Sequence, residues 1–413
     1  MTPGPAIETP VRALFSFPHK IGATRICSIA WHQVAGVTAA GDRVVAYPAA
    51  VHRPLPHDVA VSPTLARGKA RIPFRAIGSM RAFALHDAIV ARRLPKLSGQ
   101  IDVVHVWPLA ARRTLRVASD LGIPTLLERP NAHTRFAYEA VRQESERLGV
   151  VLPADQEHAF NAERLRIEEE EYDLADYLLC PSEFVIKTFV DCGFDRERLL
   201  RTIYGFDEQR FRPSEELRDP AGGLKVLFVG VAAVRKGLHY ALEAWVRSPA
   251  SRRGSFTIVG DVLPAYAEKL APYLAHPSVH VVGPRSDVDV WMRESDVLVL
   301  PSIEEGFGLV CVEAMGSGAV PLVSDACTDA CVHMENALVH HVGDVTALES
   351  HLTLLDGDRE LLARLRAQAL SASREFTWSS AGIVLSGVYR RVTAGVSLPT
   401  RLQTAPRATT ALT

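Results

Sequence analysis

The chain has 413 residues, with 46 basic against 47 acidic side chains and a formal net charge of −1, so it carries no electrostatic signature of a nucleic-acid binder. Its length exceeds what one hydrophobic core usually supports, and two domains of roughly 200 residues each are expected. The six cysteines, Cys27, Cys180, Cys192, Cys311, Cys327 and Cys331, include no C-x2-C pair, which argues against a zinc ribbon or a disulfide framework. Residues 1 to 9 lack a basic and then apolar leader, and no apolar run approaches the roughly 18 residues that span a bilayer. A soluble, reduced, cytoplasmic protein is the expectation.

In chain order, Val11 to Phe17 reads as a strand that ends before Pro18, followed by Gly22, a helical stretch from Ala23 to Ala39 and a strand from Val44 to Tyr47. Residues 50 to 80 are irregular. Asp102 to Trp107 and Thr125 to Glu128 read as short strands, separated by a helical segment from Ala110 to Asp120. Alternation of this kind predicts a parallel sheet with helices on both faces. A stretch rich in Pro, Gly and charge from Pro213 to Gly223 marks a boundary, after which the pattern resumes at Lys225. Helical stretches over 345–370 and 379–392 close the chain, and the tail after Leu398, rich in Thr, Ala and Pro, is expected to be disordered.

Local charge is uneven. Residues 60 to 120 carry Arg67, Lys69, Arg71, Arg75, Arg81, Arg92, Arg93, Lys96, Arg112, Arg113 and Arg116 against Asp87, Asp102 and Asp120. Such a stretch could rest on anionic lipid headgroups at the inner face of a membrane, although ordinary solvated surface is the commoner explanation.

The most informative segment is residues 301–323. An apolar run, Val297 to Leu300, leads into a glycine-punctuated loop, then a helix-like stretch with Glu313, then a second apolar strand. A helix beginning near Gly308 points its unpaired N–H groups and positive dipole end into that loop, where an anion such as a diphosphate could sit. Upstream, the strand Lys225 to Gly230 is followed by Arg235-Lys236-Gly237 and a helix with Leu238, Ala241, Leu242 and Trp245 on one face. In open parallel sheets ligands bind beyond the carboxyl ends of the strands, so the two turns can converge although about 70 positions separate them.

The run Glu305-Gly306-Phe307-Gly308-Leu309-Val310-Cys311-Val312-Glu313-Ala314-Met315, followed by Gly318 and Pro321, resembles the E-x7-E signature of family 4 of the retaining glycosyltransferases. Lys225 to Gly237 resembles that family's strand-G-x5-K-G element, and Tyr204-Gly205-Phe206-Asp207 its interdomain hinge. The match runs over most of residues 11–392. It implies an α/β, GT-B-like architecture, with two Rossmann-type parallel-sheet domains facing across a cleft. Expected boundaries are 1–205 for the first domain on the acceptor side and 206–378 for the second on the nucleotide-sugar side. A helix over 379–398 then crosses back to the first domain, leaving a tail at 399–413.

By this resemblance the co-substrate is a UDP- or GDP-sugar, with no metal or other cofactor expected. The acceptor is a glycan, a lipid-linked glycan or a small molecule. Lys236 and Arg235 would neutralise the diphosphate, Gly308 and Leu309 would supply N–H groups within the loop Gly306–Leu309 that includes Phe307, and Gly22 would meet the phosphates from the first domain. Glu305 would contact the sugar, Glu313 the ribose hydroxyls, and His133 would be the catalytic histidine of the first domain. Glu304 is expected at the rim and His105 at a packed strand end.

Three departures are visible. Val231 stands where the family often has arginine, Ile21-Gly22 replaces a glycine pair, and the family histidine position falls near Pro130, so His133 would need a longer loop to reach the cleft. These departures motivate an alternative, a nucleotide-sugar-binding protein of the same architecture that assists glycan assembly without transferring. A nicotinamide-dependent dehydrogenase is disfavoured because no strand is followed by G-x-G-x-x-G.

Overall fold

The computed structural model describes residues 9–67, 70–72, 77–154, 156, 158–214 and 222–395. Expectations for the tail and for part of the 213–223 boundary lie outside the described residues.

The first lobe is a seven-stranded sheet. Its strands are β1 (Arg12–Ile21), β2 (Arg43–Val51), β3 (Ala60–Val61), β6 (Val103–Val106), β7 (Thr125–Glu128), β8 (Tyr177–Cys180) and β9 (Leu199–Arg201), in the order β3-β2-β1-β6-β7-β8-β9. Within residues 50–80, β4 (Ala66–Arg67) and β5 (Ala70–Arg71) form a separate antiparallel pair. The second lobe has β10 (Lys225–Val229), β11 (Ser255–Val259), β12 (Val279–Val281), β13 (Val297–Leu300), β14 (Val320–Ser324) and β15 (Leu338–His340), ordered β12-β11-β10-β13-β14-β15. Every pair in both large sheets is parallel. Strands β6, β7, β8, β13 and β14 are buried along their whole length, which is why they read as continuous apolar runs rather than alternating ones.

Two details differ from expectation. β1 does not stop before Pro18 but runs to Ile21, with its pairing to β2 shifting register between Phe17 and Lys20. An irregularity at that point accommodates a residue with no N–H to give. The 345–370 stretch is two helices, Val345–Gly357 and Arg359–Ser373. Asp358 separates them and its side chain accepts from Leu361 N at 2.8 Å, the preferred chemistry for a helix start.

The final helix, Trp378–Thr393, packs on the first lobe's Ile26–Ala39 helix. Gly36 and Gly382 meet there, and a Cβ built on Gly382 would lie 2.5 Å from Gly36 Cα. The contact is reinforced by Arg390, 3.2 Å from the buried Asp42, and by Tyr389, whose hydroxyl lies 2.8 Å from His105 Nδ1. His105 is fully buried within β6 and its Nε2 lies 3.0 Å from Glu128, which also accepts from Gln33 at 2.8 Å and from Tyr204 at 2.6 Å. One buried carboxylate thus ties a strand of the first lobe to the hinge directly, and to the returning helix through His105. The hinge itself is narrow: Gly205 passes so close to Thr377 and Trp378 that a Cβ would lie 2.4 Å from Trp378 N.

Gly382→Ala should lower the unfolding temperature, because overpacking costs about 1–3 kcal/mol and exceeds the gain of about 1 kcal/mol from removing a mid-helix glycine. Thermal unfolding of the variant beside Gly387→Ala, where a Cβ meets nothing within 4 Å, checks this, since the control should be neutral or stabilising.

Candidate active site

Both sheets reverse their strand order beside a central strand: in the second lobe β11 lies on one side of β10 and β13 on the other. The turns after β10 and β13 therefore open at the same crevice. After β10, the single turn Val234–Lys236 ends at Gly237, which adopts φ +62° and would place a Cβ 2.0 Å from Pro301 O. Only glycine allows that approach. Ile303 N then donates to Arg235 O at 2.9 Å, joining the two turns through backbone.

The side chains meet at the same junction. Lys236 ion-pairs with Glu305. Arg235 lies 3.3 Å from both the Glu305 and Glu304 carboxylates and donates to Glu304 O at 3.0 Å. Gly306 N and Ser302 Oγ donate to Glu305 at 3.2 and 3.4 Å. Burial alone would raise the Glu305 pKa, but Lys236 and Arg235 outweigh it and hold the carboxyl well below the usual carboxylate range. Glu304 is not a rim residue: it is fully buried, with no hydrogen bond to its carboxylate oxygens among the described residues. Burial pushes its pKa up, against Arg235.

Arg235 and Lys236 line a cavity of about 690 Å³ between the lobes. Its second-lobe wall is completed by Gly230, Val231, Asp261 and Arg285, and its first-lobe wall by Arg25, Val141 and His158. A second cavity of about 100 Å³ adjoins it at His158 and is lined by His19, Trp107, Arg129, Tyr138, Arg164 and Glu168. His158 Nδ1 lies 3.6 Å from Glu304. Burial, helped by Arg235, depresses the His158 pKa to about 3, and burial lowers that of His19 to about 4, so both rings are neutral near pH 7.

The other expected residues surround this cavity without lining it. Gly306 is pressed between the lobes, since a Cβ would lie 1.7 Å from Pro130 O, and its carbonyl accepts from Ser182 Oγ at 2.6 Å. Phe307 is buried against Tyr204 and Phe376. Gly308, at φ +67°, begins the helix Leu309–Ser317, and a Cβ there would meet Cys327 Sγ at 2.8 Å. Glu313 shares a helix face with Leu309 and Val310; all three are partly buried while the opposite face is fully so. Burial pushes the Glu313 pKa up to about 7, with Arg210 opposing. Gly22, at φ +80°, turns the chain beneath Trp31 and Arg53.

His133 requires a correction. It is 2 % exposed and its ring packs against Tyr172, Phe189 and Phe194. Its Nδ1 accepts from Arg135 N at 3.2 Å, capping the helix Thr134–Leu148. The ring turns into the first-lobe core and lines neither cavity. Arg25, His158 and Asp261 escaped sequence reasoning. Only Arg25, three positions after Gly22, carried a signal that could have been followed.

Residues 223–356 match the family described as glycosyl transferases group 1. The D-inositol 3-phosphate glycosyltransferase of Jonesia denitrificans is 31% identical over 112 residues, 27% of this chain and 26% of that protein. The D-inositol 3-phosphate glycosyltransferase 2 of Catenulispora acidiphila is 29% identical over 255 residues, 55% of this chain and 59% of that protein. The chain thus spans between about a quarter and three-fifths of the length of these two curated relatives. Among solved structures, sucrose-phosphate synthase from Thermosynechococcus elongatus superposes with a TM-score of 0.67 at 19% identity, covering 94% of this chain and all of that one. HepE of Anabaena, solved in complex with UDP and glucose, gives 0.63 at 17%, covering 92% of this chain and all of that one. With its paired carboxylates and cations at the ends of β10 and β13 and its two facing parallel sheets, the chain has the GT-B-like fold of these solved structures, and its second lobe matches the group 1 glycosyltransferases over residues 223–356.

Proposed function

We propose that the chain is a retaining glycosyltransferase that moves a sugar from a UDP- or GDP-sugar to a glycan, lipid-linked or small-molecule acceptor. The observation that carries this reading is the meeting of Arg235, Lys236 and Glu305 at the mouth of the Leu309–Ser317 helix, beside a cavity closed by both lobes. Similarity to HepE, whose solved complexes include one with UDP-glucose, supports UDP as the first nucleotide to test.

Departure of a nucleoside diphosphate builds negative charge on its terminal phosphate. Fixed cations and backbone donors stabilise that charge in the transition state more than in the bound donor, which is the source of rate acceleration. Here Glu304 and Glu305 hold Arg235 and Lys236 in place before the donor arrives, so little reorganisation is left for the chemical step. Lys236 and Arg235 take the diphosphate, and the N–H groups at Gly308 and Leu309 add the positive end of the helix. Glu305 accepts from the sugar hydroxyls, Glu313 from those of the ribose, and Gly22 allows close backbone approach from the first lobe. The acceptor enters beside His158 and the smaller cavity, on the face from which the diphosphate leaves, which gives retention of configuration. His133 has no part in it.

We place the protein in the cytoplasm, and its acceptor side faces a surface where Arg81 and Arg113 are exposed. Part of the basic stretch is already neutralised, since Arg112 and Arg116 both pair with Glu170. No helix of the described residues is long and apolar enough to cross a membrane.

Lys236→Gln combined with Glu305→Gln removes the cation without stranding its buried partner. It should lower turnover of a UDP-sugar by about 10²–10³, the usual loss for one fixed donor to a developing anion. Nucleotide release with an acceptor-containing extract measures this, and unchanged turnover would refute the site. Wild-type binding of UDP without transfer to any extract would instead favour the binding-only alternative.

Glu313 gives a second test. Its carboxyl, neutral below about pH 7 and ionised above it, accepts both ribose hydroxyls only when ionised. Nucleotide affinity in the wild type should therefore gain up to about tenfold between about pH 6 and pH 8 relative to Glu313→Gln. Titration of UDP into both proteins over that range checks it, the phosphates' own ionisation cancelling in the comparison.

A further inference from the structure

We infer that Arg25 is a donor-binding residue, a cation that the first lobe presents to the diphosphate from across the cleft. This rests on the nucleotide-sugar reading above and extends it to a residue outside the second-lobe elements.

The charges around the large cavity lead to Arg25. Among the described residues four cations line it: Arg25, Arg235, Lys236 and Arg285. Three are matched by carboxylates, Lys236 by Glu305, Arg235 by Glu304 and Glu305, and Arg285 by Asp287 at 2.8 Å. Asp261, also in the wall, adds a further negative charge, and Val231 contributes none. The histidine in the wall does not alter the sum, because burial keeps His158 neutral near pH 7. Arg235, Lys236 and Arg285 alone would leave the carboxylates of Glu304, Glu305, Asp287 and Asp261 in excess, so a diphosphate would meet more fixed negative than positive groups without a fourth cation. Arg25 is that cation: it is exposed, and no ion pair or hydrogen bond engages its guanidinium among the described residues. A guanidinium with no carboxylate partner can turn its fork to an incoming anion without first breaking an ion pair.

Its placement is built into the backbone. Arg25 has φ 57° and ψ −135°, one of three non-glycine residues with positive φ among the described residues. Such conformations are disfavoured for L-residues with a long side chain and concentrate at functional sites. The same residue immediately precedes the helix Ile26–Ala39, which lies at the carboxyl end of β1, the strand beside which the first sheet reverses its order. Arg235 and Lys236 occupy the equivalent position in the facing lobe. An arginine is suited to phosphate because its fork donates two parallel hydrogen bonds. Contact from the first lobe would also make the closed arrangement of the two lobes depend on the donor's phosphates.

The test is calorimetric titration of UDP and of uridine into the full chain and its Arg25→Ala, Arg25→Lys and Arg25→Gly variants, with GDP and guanosine used if UDP does not bind. Arg25→Ala should weaken the diphosphate about 10- to 100-fold, the range expected for a charge-assisted contact. The nucleoside should change by less than about twofold, and Arg25→Lys should retain part of the diphosphate affinity. Arg25→Gly should lose it as Ala does, while unfolding at or above the wild-type temperature, because glycine accepts positive φ. Diphosphate affinity unchanged in Arg25→Ala, or a parallel loss of nucleoside binding, would overturn the inference and leave the nucleotide-sugar reading standing. A wild type that binds neither UDP nor GDP would overturn both.

Discussion

The site is organised by an ion cluster at the junction of two turns. Lys236 and Arg235, just after β10, are held by Glu305 and Glu304, just after β13. Removing charges from water is costly, and a buried pair persists only where attraction and hydrogen bonds repay the loss. Here the repayment is uneven: among the described residues Glu305 has Lys236, Arg235, Ser302 and the Gly306 N–H, whereas Glu304 has only the ion contacts of Arg235 and His158. The cluster is thus a weak source of stability and a strong determinant of position. It fixes two cations at a cleft where a charged ligand can take over part of their pairing.

That position has meaning only if the lobes face each other. Three features hold them. Apolar packing is continuous from the first sheet through Tyr204, Phe206 and Phe211 into the second lobe, with Phe307 among its members. The returning helix approaches the first lobe through facing glycines. The buried Glu128 accepts from Tyr204 in the hinge, and Tyr204 in turn packs on Phe307 of the site loop. The loop that offers N–H groups to a ligand therefore rests on the same aromatic residue that anchors the hinge. Movement of one lobe relative to the other would be felt at Phe307 and at Gly306, which already touches Pro130.

Much of this was legible in the sequence, for physical reasons. Strands buried on both faces leave uninterrupted apolar runs, so β7, β10 and β13 could be read to within a residue or two. Glycines at Gly237 and Gly308 marked the turns because only glycine fits there. Pro18 misled, since a strand can pass a proline when its pairing shifts. Glu304 misled because a charged residue beside a glycine loop is usually solvated, and nothing local shows that Arg235 folds over it. The placement of His133 depended on whether its ring faces the cleft or the aromatic residues Tyr172, Phe189 and Phe194, which come from distant parts of the chain. His158 was hidden for a related reason: it meets Glu304 and Arg235 of the opposite lobe, and no pattern in its own segment announces it.

The most direct measurement is a crystal structure of the chain with UDP bound. Expected is a terminal phosphate within about 3 Å of the Lys236 amine and the Arg235 guanidinium, with the ribose against Glu313 and the phosphates between the two lobes. Nucleotide bound elsewhere, or phosphates remote from a Lys236 still closed on Glu305, would contradict the site at its root.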